Sequence, residues 1–375
     1  MLRITFPYLL LISLTAFSGA ILNHYNKFAI PAFTPVLLNI SIILSAIYLS
    51  KYFETSIISL AWGVLIGGIL QLAFQIPFLM QIKKIPKLTY SNHPVIKLVK
   101  KRMIPAMFGT SISQINLLID TVIASTLISG SISWLYHSDR LLELPLALIG
   151  IALATVALTK LSKYFASKDE EKFTYIVNYA IKIGIILGIP SSVGLLLLSE
   201  SLIITLFQYG EFNAFDSKQS AKSLLAYSCG LIAFIVVKIL ASAFLARGDT
   251  KTPVKAGIIA MIVNIILNLI LVQFLFHVGL ALSTSIAAFI NATILYYYLH
   301  KKSIFKISSN LIKLFFKILI ASFIMGMFIL FYSQNIDYSS INMLNRAIEI
   351  IITIMFSIMI YFIALWILRV KINKL

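Results

Sequence analysis

A chain of 375 residues that is 60% hydrophobic and only 12% charged has too little polar surface to persist in water as a soluble domain. Its 31 Lys and Arg against 13 Asp and Glu give a formal charge of +18, yet these basic residues gather in short loops between apolar runs, which argues against nucleic acid as a partner. The single cysteine, Cys229, excludes an internal disulfide and offers no thiolate cluster for a metal.

Apolar runs of about 20 residues recur along the whole length, each long enough to cross a bilayer as a helix. In chain order they fall near 2–23, 34–51, 56–81, 103–128, 132–158, 173–198, 220–245, 254–274, 278–299, 311–332 and 345–368. The pattern predicts an all-α membrane protein, a polytopic helical bundle of about eleven transmembrane helices. The first run has the outline of a secretory signal, because Arg3 precedes an apolar stretch ending in Phe17-Ser18-Gly19-Ala20. Tyr8 and Thr15 interrupt it and apolar residues continue past that point, so it reads as a span.

The fourth and fifth runs form a hairpin, 103–145, turning near Ser129–Ser131. Asp120 sits near the middle of its first arm, and Asp139, Arg140 and Glu143 open the second. A charge at membrane depth costs about 2.5–3.5 kcal/mol on insertion scales, so it marks a functional site by default. Elsewhere the spans are almost free of charge, Lys182 and Lys238 being exceptions. The one longer loop is 199–219, in which Leu202, Ile203, Leu206 and Phe207 share a helical face before Tyr209-Gly210; this suits a helix resting at the headgroups.

Alternate loops carry the positive charge: Lys83 to Arg102, Lys160 to Lys172, Arg247 to Lys255, Lys301 to Lys306 and Arg369 to Lys374. The positive-inside rule makes these loops, and the C-terminus, cytoplasmic. An odd number of spans then sets Met1 outside, which hints at further spans upstream.

The search for catalytic chemistry is negative. The sequence holds no Walker-type phosphate loop, no His-Glu-x-x-His helix and no GxSxG elbow. The five histidines, His24, His93, His137, His277 and His300, lack metal-ligand spacing, and no Asp-x-Asp pair occupies a loop. Transport is what remains for many helices with buried charge.

Six segments are distinctive: RITFPYLLLISLTAFSGAILN (3–23), FAIPAFTPVLLNISII (28–43), GTSISQINLLIDTVIAS (109–125), GSISWLYHSDRLLELP (130–145), LFQYGEFNAFDS (206–217) and AYSCGLIAFIVVKILASAFLARGDTKTPVK (226–255). In this order they strongly resemble the lipid II flippases, the MurJ/MviN family of the multidrug/oligosaccharidyl-lipid/polysaccharide exporter superfamily. The resemblance implies fourteen helices, arranged as two six-helix lobes around a central cavity, with a last pair forming a lipid-tail groove. This chain aligns from the fourth helix onward. Residues 1–102 then correspond to a partial N-terminal lobe with its cytoplasmic linker, 103–299 to the second lobe, and 300–375 to the last two helices.

Flipping of an undecaprenyl-pyrophosphate-linked peptidoglycan precursor across the bacterial cytoplasmic membrane is the implied activity. Family members line their cavity with arginines, because a guanidinium meets a pyrophosphate with a planar fork of charge-assisted hydrogen bonds. Of that set only Arg140 is carried over, with Glu143 one turn later; Asp139 and Lys238 join them as expected substrate-binding residues. The other reading of Arg140 is an interfacial arginine paired with Glu143 at i,i+3, and Lys238 could equally be a packed, snorkelling amine.

A second constellation points to the energy source. Asn264 and Asn268, at i,i+4, share a helical face. With Asp120, Thr284 and the carbonyl of Leu280 they would make a hard-oxygen site for a small monovalent cation, sodium by its match to one negative charge. Some family members carry a sodium site at positions these residues match. The alternative is interhelical hydrogen bonding, in which Asn and Thr act as polar glue.

The expected function is therefore a lipid II flippase working by alternating access, with lipid II and membrane lipids as partners. Other readings are a related polysaccharide or drug exporter, an inactive fragment needing a second polypeptide, and a polyprenyl transferase, for which no catalytic cluster is visible.

Overall fold

The computed structural model describes residues 1–25, 27–84, 114–301, 304–305, 309–333, 336 and 338–370, together with Ile96 and Met103. Among these residues every regular element is helical. The chain divides into two compact units, Met1–Lys97 and Leu98–Leu375.

The first unit packs α1 (Leu2–Thr5), α2 (Tyr8–His24), α3 (Ala29–Leu44) and α4 (Ile57–Gln81). Pro35 lies inside α3, so the carbonyl four residues back has no backbone donor. The Thr34 hydroxyl donates to that carbonyl, Pro31 O, at 2.8 Å. Buried Gln71 on α4 donates in turn to Thr34 O at 3.0 Å. The two helices approach closely over Gly63 and Gly67. A Cβ on Gly67 would stand 2.7 Å from Leu38 Cδ1 and 3.2 Å from Leu38 Cα. In hydrocarbon, where helix association depends on packing rather than on water release, such small residues let backbones meet.

The second unit holds α5 (Gln114–Ser125), α6 (Ser131–Pro145), α7 (Ala152–Ala166), α8 (Glu170–Leu197), α9 (Ser199–Phe207), α10 (Ala214–Ser228), α11 (Leu231–Ala246), α12 (Lys251–Lys301), α13 (Ser309–Ser333) and α14 (Met343–Ile367). Pro145 ends α6, and the chain runs on to α7 through a π-helical stretch, Leu146–Ile151, as expected where a proline removes a ladder donor. Pro190 lies inside α8, and the carbonyl it orphans, Ile186 O, accepts the Tyr361 hydroxyl of α14 at 2.6 Å. Asp169 caps α8, and the hydrogen bonds from Lys172 hold its carboxyl below the usual range.

Among the described residues eight helices are long and apolar enough to cross a membrane, or nine when one bent pair is taken as a single span. Two of the expected spans, 254–274 and 278–299, run together as α12, which breaks at Phe276 with φ of 50°. Asn264 pairs with Thr284, Asn268 with Ser283, and Gly279 abuts Leu271. These pairings make α12 an antiparallel hairpin reversing near Phe276. The span expected at 103–128 is described only from Gln114; its earlier part, apart from Met103, lies outside the described residues, as do His93 and the basic run from Lys87 to Arg102.

The single span expected at 220–245 is instead α10 and α11, bent by 44°. The break leaves carbonyls short of donors, and in lipid each must find a partner. Ser285 Oγ donates to Ala226 O at 2.8 Å and Ser192 Oγ to Ser228 O. The loop helix α9 forms as read, but its Ile203 is fully buried against Ala221 and Leu224. Leu202 and Phe207 are half-buried and Leu206 is exposed, so the apolar face of α9 packs only in part on protein.

Candidate functional site

The residues expected around a cation come together. Asp120 is carried by α5, Asn264 and Asn268 by the first arm of the α12 hairpin, and Leu280 and Thr284 by the second. Asn268 Nδ2 donates to Asp120 Oδ1 at 2.6 Å and to Asn264 Oδ1 at 2.9 Å. Asn264 Nδ2 donates to Thr284 Oγ1 at 3.1 Å, and that hydroxyl donates to Leu280 O at 3.0 Å. Asn264, Asn268 and Leu280 are 1%, 0% and 0% exposed.

Sequence reasoning missed two members. Ser283 Oγ has two acceptors in reach of its one hydrogen, Asn268 Oδ1 and, at 2.9 Å, Leu280 O. Asn116 Nδ2 donates to Asp120 Oδ2 at 3.4 Å. Asn116 lies one turn before Asp120 and so shares its helical face, a spacing visible in the sequence, whereas nothing in the sequence marks Ser283, whose place depends on how the arms of α12 pack. The donor set is one carboxylate, three amide oxygens, two hydroxyls and a backbone carbonyl. Hard oxygens with a single negative charge fit a small monovalent cation. Among the described residues no Lys or Arg forms an ion pair with Asp120, and no cluster of three His, Cys, Asp or Glu exists for a transition metal.

Among the described residues, those expected at substrate form no hydrogen bond or ion pair with that oxygen cluster. Arg140 Nη1 meets Glu143 Oε2 at 2.8 Å, with the two side chains 55% and 52% exposed, and the guanidinium lies 4.9 Å over the Tyr136 ring. This is the i,i+3 pair anticipated as the other reading of Arg140, held on an open face of α6. Asp139 is half-buried on α6; among the described residues it has no hydrogen-bond partner. Lys238 is exposed on α11 and Lys182 half-buried on α8.

Between α6, α8, α9, α13 and α14 lies an apolar cavity of about 460 Å3, lined by Leu144, Ile149, Leu195, Met325, Ile358 and Phe362 among others. Elsewhere in this unit Trp134 Nε1 donates to Asp216 Oδ1 at 2.8 Å, tying α6 to the capping box that opens α10.

Long apolar helices, a broken span satisfied by neighbouring hydroxyls and a half-buried carboxylate among amides define a multi-pass membrane protein with the exporter fold. A multidrug resistance transporter of the MATE family, solved facing inward, superposes with a TM-score of 0.70 at 15% identity over 80% of this chain and 70% of its own. A solved structure described as lipid II flippase MurJ in an inward closed conformation gives 0.80 at 34% identity, covering 97% and 73%. The family described as lipid II flippase MurJ matches residues 1–367, and the chain belongs to that family. A probable lipid II flippase MurJ of Vibrio cholerae is 48% identical over 82% of this chain, and that of Haemophilus influenzae 43% over 90%. The chain spans 59% and 67% of those relatives' lengths. The family is one of flippases, transporters rather than enzymes.

Proposed function

We propose that the chain moves lipid II, a polyprenyl-pyrophosphate-linked peptidoglycan precursor, across the bacterial cytoplasmic membrane by alternating access, driven by a cation held at Asp120. The observation that carries the coupling is the convergence of Asp120, Asn264, Asn268, Leu280 and Thr284 from three helical arms into one oxygen cluster. When bound, sodium would supply the positive charge that the carboxylate lacks, and it would cross-link α5 to both arms of α12. Such a ligand biases a conformational equilibrium only as far as it binds one state better.

Arg140, Glu143, Asp139 and Lys238 are the proposed contacts to the polar headgroup. Arg140 supports this role by its exposure: among the described residues its guanidinium has Glu143 and the Tyr136 ring to leave before meeting a pyrophosphate. The apolar cavity beside α13 and α14 is proposed to take part of the polyprenyl chain, and residues 300–375 to act as the lipid-tail segment. The basic loops support a cytoplasmic C-terminus. The share of the relatives' length that the chain does not span grounds a further proposal, a second polypeptide supplying the remaining family helices.

The test is transfer of labelled lipid II in vesicles containing the chain, alone and with such a polypeptide, with and without a sodium gradient. Gradient-dependent transfer that Asp120→Asn removes is expected. Transfer indifferent to both would overturn the coupling, and no transfer in either preparation would overturn the substrate.

A further inference from the structure

Beside the oxygen cluster lies a second cavity, of about 320 Å3, framed by α5, α11 and both arms of α12. Asn116, Asn264 and Thr284 line one end, and Gly257 and Asn291 are also on its wall. Gly257 precedes Asn264 by seven residues and Asn291 follows Thr284 by seven. In an antiparallel hairpin these two sit level with each other, about 10 Å along from the Asn264–Thr284 pair. That is the end of α12 where Lys251, Lys255 and Lys301 lie.

The polar atoms of this wall are unusual. Oδ1 of Asn116 and Oδ1 of Asn291 are buried with no partner among the described residues. Buried amide oxygens are nearly always hydrogen-bonded, to protein or to ordered water. A polar cavity far larger than the ~30 Å3 share of one water in the liquid holds such waters readily. Among the described residues no acidic or basic side chain lines it, so this part of the wall presents acceptor dipoles without a fixed charge to trap or repel an ion. Asn116 belongs to both places: its side chain lines the cavity while its Nδ2 donates to Asp120 at 3.4 Å.

We infer that this cavity is a hydrated antechamber through which a small monovalent cation reaches Asp120 from the lysine-bearing end of α12, with Asn291 at its outer level and Asn116 at the passage to the carboxylate. The inference rests on the cation-site reading above and adds the route. An ion entering here keeps its water shell against the amide oxygens and exchanges it stepwise for the Asp120 cluster, so the desolvation cost is never met at once.

The experiment labels a cysteine at the outer level. In a Cys229→Ser background, which removes the exposed native thiol, Asn291→Cys is treated with a small cationic methanethiosulfonate in detergent. Reaction is expected, slowed several-fold by sodium but not by choline, and the sodium effect should vanish when Asp120→Asn is added. Gly257→Leu serves as a plug: a Cβ there meets nothing within 4 Å, so the larger side chain can enter the cavity without displacing the fold. It should suppress labelling and slow the onset of the sodium response after sodium is added, while the final rise in melting temperature, which reports affinity and not route, stays the same. An onset as fast as in the unplugged protein overturns the route. An unreactive cysteine, or labelling indifferent to sodium in a protein whose melting still responds to it, overturns the antechamber alone. A wild-type melting temperature indifferent to sodium overturns the cation site and the route with it.

Discussion

Asp120 Oδ1 accepts a 2.6 Å hydrogen bond from Nδ2 of Asn268, a residue 148 positions further along the chain. The bond joins the first arm of one hairpin to the first arm of another, so anything that alters the charge on Asp120 alters how α5 is held against α12.

A cation at this site stabilises the folded protein by mass action, about 2.7 kcal/mol at a hundredfold excess over its dissociation constant. Wild-type protein in detergent should therefore melt at a higher temperature in sodium than in choline. Asp120→Asn should abolish that difference, and Asn268→Leu should reduce it. An unchanged sodium response in Asp120→Asn would reduce the cluster to interhelical glue.

Arg140 and Glu143 test substrate recognition apart from stability. An exposed ion pair contributes about 0–1 kcal/mol, so Arg140→Ala should leave the melting temperature almost unmoved. Lipid II transfer should nonetheless be lost, and Arg140→Lys should keep only part of it, since an ammonium retains the charge without the fork. Full transfer by Arg140→Ala would remove Arg140 from the substrate path.

Pro190 and Tyr361 make a coupled pair. Tyr361→Phe leaves Ile186 O without its donor, at a cost of about 1–3 kcal/mol. Pro190→Ala returns a backbone N–H to that carbonyl, so the tyrosine should matter much less in its presence. Thermal melting of the two single variants and the double variant measures the interaction. Additive effects would show that Tyr361 contributes through packing alone.

Gly67 tests the close approach of α3 and α4. Gly67→Leu must drive a side chain into the Leu38 backbone, and overpacking of this kind costs about 1–3 kcal/mol. Lower thermal stability is expected, whereas Gly257→Leu, with open space at its Cβ, should cost little.

Reporter fusions check the orientation. A reporter after Lys374 should be cytoplasmic and one inserted near Gly210 external. Finding both on one side would overturn the reading of the basic loops.

Hydropathy alone determined that the chain is a helical membrane protein, because every backbone group in hydrocarbon must be satisfied within its own segment. It placed several spans close to the observed helices, 56–81 and 173–198 among them, but merged α10 and α11 into one; the rarity of charge in the spans singled out Asp120. Residue spacing also put Asn264 and Asn268 on one face, since i,i+4 neighbours align in any helix. Three things waited for the tertiary structure. The break between α10 and α11 is held by hydroxyls from Ser192 and Ser285, distant in sequence and invisible to a hydropathy window. Asn116 and Ser283 join the Asp120 cluster because the hairpins dock with those faces inward. The cavity beside them exists only where α5, α11 and α12 fail to fill space together. Local pattern fixes which groups must be buried; which of them meet depends on how separate helices pack.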